Sequence, residues 1–169
     1  MGMRKLTLRV KNLHDKFFNL VSYAQTPFLL FVRLYWGWQL VESGWGKLHN
    51  LGKVTEFFTS LGLPMPGPTA MFISSLEFFG GILLALGLFS RVISLMLTVN
   101  LIAAYITADR EALFSIFSDP DKFMAAAPFT FLFASLLILI FGPGKIAVDT
   151  LLGRWFPSAD SKAPSSSSN

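Results

Sequence analysis

Arg33 and Glu77 stand inside apolar runs of this chain. Arg33 lies within residues 27–46, and Glu77 is the only ionisable residue between 69 and 89. A charge at the centre of a bilayer costs about 2.5–3.5 kcal/mol on insertion scales, so such residues face a bundle interior and take partners. A guanidinium only donates hydrogen bonds, and a deprotonated carboxylate only accepts them. Together they could hold a polar head group, a small anion or a proton. Equally, they could form an ion pair whose whole role is to fix how two helices dock. Trp36 and Trp38 follow Arg33 by three and five residues, on different faces of the helix, and are candidates to line such a site. Gly80 and Gly81, just after Glu77, permit the close helix approach that small residues give membrane bundles.

The elements that must position these residues are four apolar spans, near 27–46, 69–89, 92–108 and 123–141. About 20 apolar residues cross a hydrocarbon core of about 30 Å. The segments GGILLALGLF and LLILIF have no polar face, unlike the amphipathic helices of a soluble bundle. The whole chain agrees: of 169 residues, 53% are hydrophobic and 14% charged, against about 25% charged in soluble domains. The expected fold is therefore all-α, an integral membrane four-helix bundle. At 1.5 Å per residue, Arg33 lies about 9 Å inside one face and Glu77 about 12 Å inside the other, leaving a gap of about 9 Å. An Arg33–Glu77 pair is expected from that reach, with Lys47 as the other candidate partner for Glu77.

Basic residues set orientation. Arg4, Lys5, Arg9, Lys11, Lys16, Arg91, Lys145, Arg154 and Lys162 fall on one side of a four-span chain, and Lys47, Lys53, Arg110 and Lys122 on the other. Nine against four places both termini in the cytoplasm. Residues 1–25 read as a basic arm, with Leu6, Val10, Leu13, Phe17 and Leu20 at helical spacing, as in an amphipathic interfacial helix. Residues 26–152 form the membrane domain. Residues 153–169 are Ser- and Pro-rich and expected to be a disordered tail. In the loop at 47–68, Leu51, Val54, Phe57, Phe58 and Leu61 predict a short surface helix that ends at GLPMPGP.

The absence of cysteine removes thiolate nucleophiles, disulfides and iron–sulfur ligation. The only histidines, His14 and His49, lie outside the span cores, so a bis-histidine haem buried in the bundle is excluded. No metal-ligand spacing, phosphate loop or Ser-His-Asp set is present. The basic arm lies nearer to anionic lipid than to any nucleic acid. Asn100, within the third span, is expected to make an interhelical hydrogen bond.

The order of four motifs resembles the DoxX-like family of small four-span membrane proteins. They are RLYWGWQLVESGWGKL with its Gly44–Lys47 exit, LGLPMP, EFFGGILLALGLFSR and FGPGKIAVD. The resemblance covers roughly 28–152. It implies structural roles for Lys47, Gly80, Gly81, Arg91 and Asp149, and a place in the bacterial inner (plasma) membrane. Some relatives are the membrane subunit of a thiosulfate:quinone oxidoreductase, so a quinone is the cofactor to expect, with Arg33, Glu77, Trp36 and Trp38 as its candidate site. The partners to expect are the lipid bilayer and either a partner subunit or a further copy of the chain. Two other readings stay open: a non-catalytic scaffold or accessory subunit, and a small anion or lipid carrier.

Overall fold

Proline, glycine and one distant carboxylate set the limits of the helices. The computed structural model describes residues 2–155. Helix α1 is Gly2–His49, α2 Leu51–Ser60, α3 Pro66–Leu86, α4 Ser90–Thr107, α5 Arg110–Phe114, α6 Pro120–Ala125, α7 Pro128–Phe141 and α8 Val148–Trp155. The described residues contain helices and no strands. The surface helix expected in the first long loop is α2. Gly62 (φ 69°) and Met65 (φ 48°) turn the chain after it, and Pro66 opens α3, where a missing N–H costs nothing.

Three boundaries differ from the sequence expectation. The basic arm and the first apolar run are one continuous helix, α1, with Pro27 inside it. Most side chains of the arm, and with them its expected amphipathic face, lie outside the described residues. The fourth apolar run is split, because Pro128 starts a new helix and leaves α7 with 14 residues, short of the length that crosses a bilayer alone. At the other end, α8 continues through 153–155, where a disordered tail was expected to begin. The rest of that tail lies outside the described residues.

Helix α1 packs along α3, α3 meets α4, α4 packs on α7, and α7 returns to α1. Glycine makes the α1–α3 contact close. A Cβ on Gly81 would stand 2.7 Å from the Gly37 carbonyl oxygen and 2.9 Å from the Val41 amide nitrogen, and one on Gly44 would run into the Phe78 backbone. These pairings run antiparallel, residue 37 beside 81 and 44 beside 78.

The distribution of side chains is inverted relative to a soluble domain. Inside are Arg33, Glu77, Ser74, Ser90, Ser94, Thr98 and Ser135 along with aliphatic residues. Outside are large apolar groups, among them Phe72 and Phe79 on α3 and Val92, Leu95, Val99, Ile102 and Ile106 on α4. Water-facing surfaces rarely carry such continuous apolar cover, and small or polar residues line helix contacts in lipid. Helices α3 and α4 are each long and apolar enough to cross a membrane, and α7 is a shorter apolar helix.

Candidate functional site

The register of α1 on α3 decides which charges meet. With residue 37 beside 81, Arg33 falls beside Ala85, and Ser43 beside Glu77. The Arg33 guanidinium donates to the Pro143 carbonyl at 2.5 Å and to the Ala85 carbonyl at 3.3 Å. Arg33 is 2% exposed. Glu77, 5% exposed, accepts from Lys47 Nζ at 2.6 Å on both carboxylate oxygens and from Ser43 Oγ at 2.9 Å. The expected Arg33–Glu77 pair is thus replaced by Lys47–Glu77. The depth estimate erred because it counted from span ends, whereas close glycine packing sets the register. Ala85 is eight residues beyond Glu77, about 12 Å along α3, so the two charges occupy separate polar clusters.

The Arg33 cluster lies at the α3–α4 turn. Asp149 accepts from the Phe89 and Ser90 amides, both at 2.8 Å, while its own amide donates to the Gly87 carbonyl at 2.9 Å. It thereby caps α4 from 59 residues away and holds Phe89 in a left-handed conformation, φ 50°. Gly87 (φ 74°) packs so closely that a Cβ would lie 2.7 Å from Arg33 Nη1. An open hollow of about 590 Å³ lies beside this cluster, with Arg91, Lys145 and Asp149 in its wall.

The Glu77 cluster heads a different cavity, of about 630 Å³, between α1, α2, α3, α4 and α7. Its polar wall includes Ser43, Lys47, Glu77 and Asn100, and its apolar wall includes Leu40, Val54, Phe57, Phe58, Ile73 and Phe131. The α2 stripe read from the sequence supplies part of this lining. Ser43 and Lys47 come one turn apart on α1, flanking Gly44, whose contact with Phe78 brings α1 near enough for both to reach Glu77. Asn100, expected to bond between helices, makes no side-chain hydrogen bond among the described residues and lines the cavity. Lys47 has three donors, so it keeps capacity for a third group. The volume falls in the range of sites for drug-sized ligands, about 300–1,000 Å³.

The candidate set from the sequence therefore divides. Glu77 is in the cavity wall with Lys47 and Asn100, which had been read as structural. Arg33 is at the other cluster. Trp36 is half-buried against the core and edge-on to Tyr35, and Trp38 is 62% exposed. Neither tryptophan lines the Glu77 cavity. Gly81 is in the α1–α3 seam, and Gly80 is in the α3–α4 contact. Ser43 was missed. Matching the glycines of α1 to those of α3 would have revealed it, together with the Lys47 pairing.

Residues 28–110 match the family model described as DoxX. Over that region the chain is similar to the DoxX family. DoxX members are membrane proteins, and the matched region spans most of the Glu77 cavity, including Ser43, Lys47, Glu77 and Asn100. The chain is also similar to the provisionally named oxidoreductase CatD of Bacillus subtilis (strain 168). The two are 29% identical over 122 residues, 71% of this chain and 83% of CatD. No solved structure is a significant match.

Proposed function

We propose that this chain is a membrane subunit of a quinone-linked redox system, binding the quinone head group in the Glu77 cavity. The observation that carries the reading is the pair of half-exposed Lys47 with buried Glu77 at the head of a largely apolar cavity of quinone size. A quinone carbonyl needs a hydrogen-bond donor, and Lys47 and Asn100 both have donors to spare. Reduction to the quinol takes two electrons and two protons. A partner subunit supplies the electrons, Lys47 passes one proton to the head group with Glu77 as its counter-ion, and water supplies the second. The oxidoreductase name of CatD supports the class of chemistry. In this reading α1, α3, α4 and the pair α6–α7 make the four membrane crossings of a bundle in the bacterial inner membrane. Both termini are cytoplasmic, the arm at the start of α1 is on that side, and the Glu77 cavity is at the outer end.

A second reading is a scaffold without catalysis. It is favoured by the closure of the Glu77 hydrogen bonds, since Lys47 and Ser43 satisfy the carboxylate without any ligand. Glu77→Gln separates the two. Purified protein in liposomes is loaded with decylubiquinone, and the retained quinone is measured with thermal stability. Quinone retained by the native chain and lost in a folded Glu77→Gln variant is the expected result. No retained quinone in the native chain, with only stability altered by the substitution, leaves the scaffold.

A further inference from the structure

The Glu77 cavity shares one wall with a second hollow. On the outer side of α3 and α4 lies a groove of about 800 Å³, with Met65, Phe72, Leu76, Leu95, Met96 and Val99 in its surface. Thr69, Ile73, Asn100 and Ala103 line both groove and cavity. None of the four is fully buried, and Ala103 is exposed.

The packing of α3 and α4 explains the opening. The two helices are close near Gly80, where a Cβ would meet Ile93 Cγ2 at 3.4 Å and Leu97 Cδ1 at 3.9 Å. The groove residues precede Gly80 on α3 and, from Leu95 onward, follow Ile93 on α4, so the seam widens from this contact toward the α2 end. Although joined by a short turn, α3 packs on α4 far less extensively than on α1. Ile73 is one turn from Glu77 on the same face of α3, and Asn100 and Ala103 share a face of α4. The passage thus begins about 6 Å from the Glu77 level.

The chemistry changes across this wall. The cavity wall has the Lys47–Glu77 salt bridge, the Ser43, Thr69 and Thr107 hydroxyls, the Asn100 amide, and the charged Lys53 and Asp109. In the groove Thr69 and Asn100 are the only polar side chains, and both belong to the shared wall. A molecule that fits both has a polar head and a hydrocarbon tail. We infer that the α3–α4 groove holds the tail of the molecule whose head lies beside Glu77. The ligand is then a long-tailed amphiphile that enters sideways from the bilayer between these helices, over Asn100 and Ala103. This rests on the ligand-binding reading of the cavity given above, and continuity of cavity and groove through four residues names the occupant.

The test uses the full-length chain in liposomes and a benzoquinone carrying a photoreactive diazirine on a ten-carbon tail. After illumination, adducts are mapped by peptide mass spectrometry, with and without excess decylubiquinone. The expected result is competed labelling on Phe72–Leu76 and Leu95–Val99, falling several-fold in Ala103→Trp. Ile102→Trp, which places the same side chain at a neighbouring position outside both hollows, should leave it unchanged. Competed labelling on α1 or α7 in place of these segments overturns the tail route while leaving the head site. Absence of competed labelling anywhere overturns both. Ala103→Leu, a smaller change, repeats the test if the tryptophan variant does not fold.

Discussion

Removing either partner of the Lys47–Glu77 pair should have unequal effects, and the structure fixes which is larger. The Lys47 side chain is 37% exposed and that of Glu77 is 7% exposed. Lys47→Met leaves a buried carboxylate with Ser43 as its remaining donor, the situation in which breaking a buried pair costs about 3–5 kcal/mol. Glu77→Leu leaves an ammonium that can swing toward the open side of the cavity. Its cost should be nearer that of a lost partly buried hydrogen bond, about 1–3 kcal/mol. The double variant Lys47→Met/Glu77→Leu should be less destabilised than Lys47→Met alone, with a coupling of about 0.5–3 kcal/mol. By contrast, Glu77→Leu and Arg33→Leu should add to within about 0.5 kcal/mol, because their clusters have no common partner. The assay is reversible unfolding in mixed detergent micelles, followed by tryptophan fluorescence. If Glu77→Leu costs more than Lys47→Met, or if the Lys47 and Glu77 losses simply add, the pairing geometry is wrong. Coupling between Arg33 and Glu77 would refute the register itself.

Three other tests probe the frame. Gly81→Ala should destabilise by about 1–3 kcal/mol, as overpacking does, because its Cβ would lie 2.7 Å from a backbone oxygen. Gly80→Ala, whose nearest neighbour would be a methyl group at 3.4 Å, should be close to neutral; detergent melting temperatures check the order. Asp149→Ala removes the acceptor from two amides and should cost about 1–3 kcal/mol, with faster hydrogen exchange at Phe89 and Ser90, while Asp149→Asn should be milder. Single cysteines at position 3 or 165 of this cysteine-free chain should react with an impermeant maleimide only after cells are permeabilised; labelling of intact cells would contradict cytoplasmic termini.

Much of the helical order was legible because apolar runs and breakers are local signals. The run containing Glu77 became α3, and GLPMPGP ended the surface helix before it. The amphipathic pattern at Val54, Phe57 and Phe58 became cavity lining, though nothing local says what an exposed stripe will face. Glu77 was legible as a polar centre from its cost in an apolar run. Its partner was not, because pairing depends on how far one helix slides along another. That slide is set by Gly37, Gly44 and Gly81, and a slide of about four turns exchanges Arg33 for Lys47. Pro128 was visible in the sequence, yet the continuous apolarity of 123–141 concealed that it divides the run. Asp149 was noted only through a family resemblance. Its caps on Phe89 and Ser90 join segments 60 and 59 residues apart, beyond any local pattern.

The Arg33–Pro143 hydrogen bond joins residues 110 positions apart, which has a consequence for biosynthesis. At about 5–20 residues per second, the ribosome makes the Pro143 carbonyl roughly 5–20 s after Arg33. Until Pro143 is made the Ala85 carbonyl, 52 residues on, is the one native acceptor these bonds offer the guanidinium, and before that it must stay near lipid phosphates, water or the insertion machinery. The first helix to be made is therefore among the last to seat fully, and the Gly142–Gly144 turn acts as its latch. A chain truncated before Pro143 would retain the whole matched DoxX region yet carry an unseated arginine, making it a natural substrate for membrane quality-control proteases.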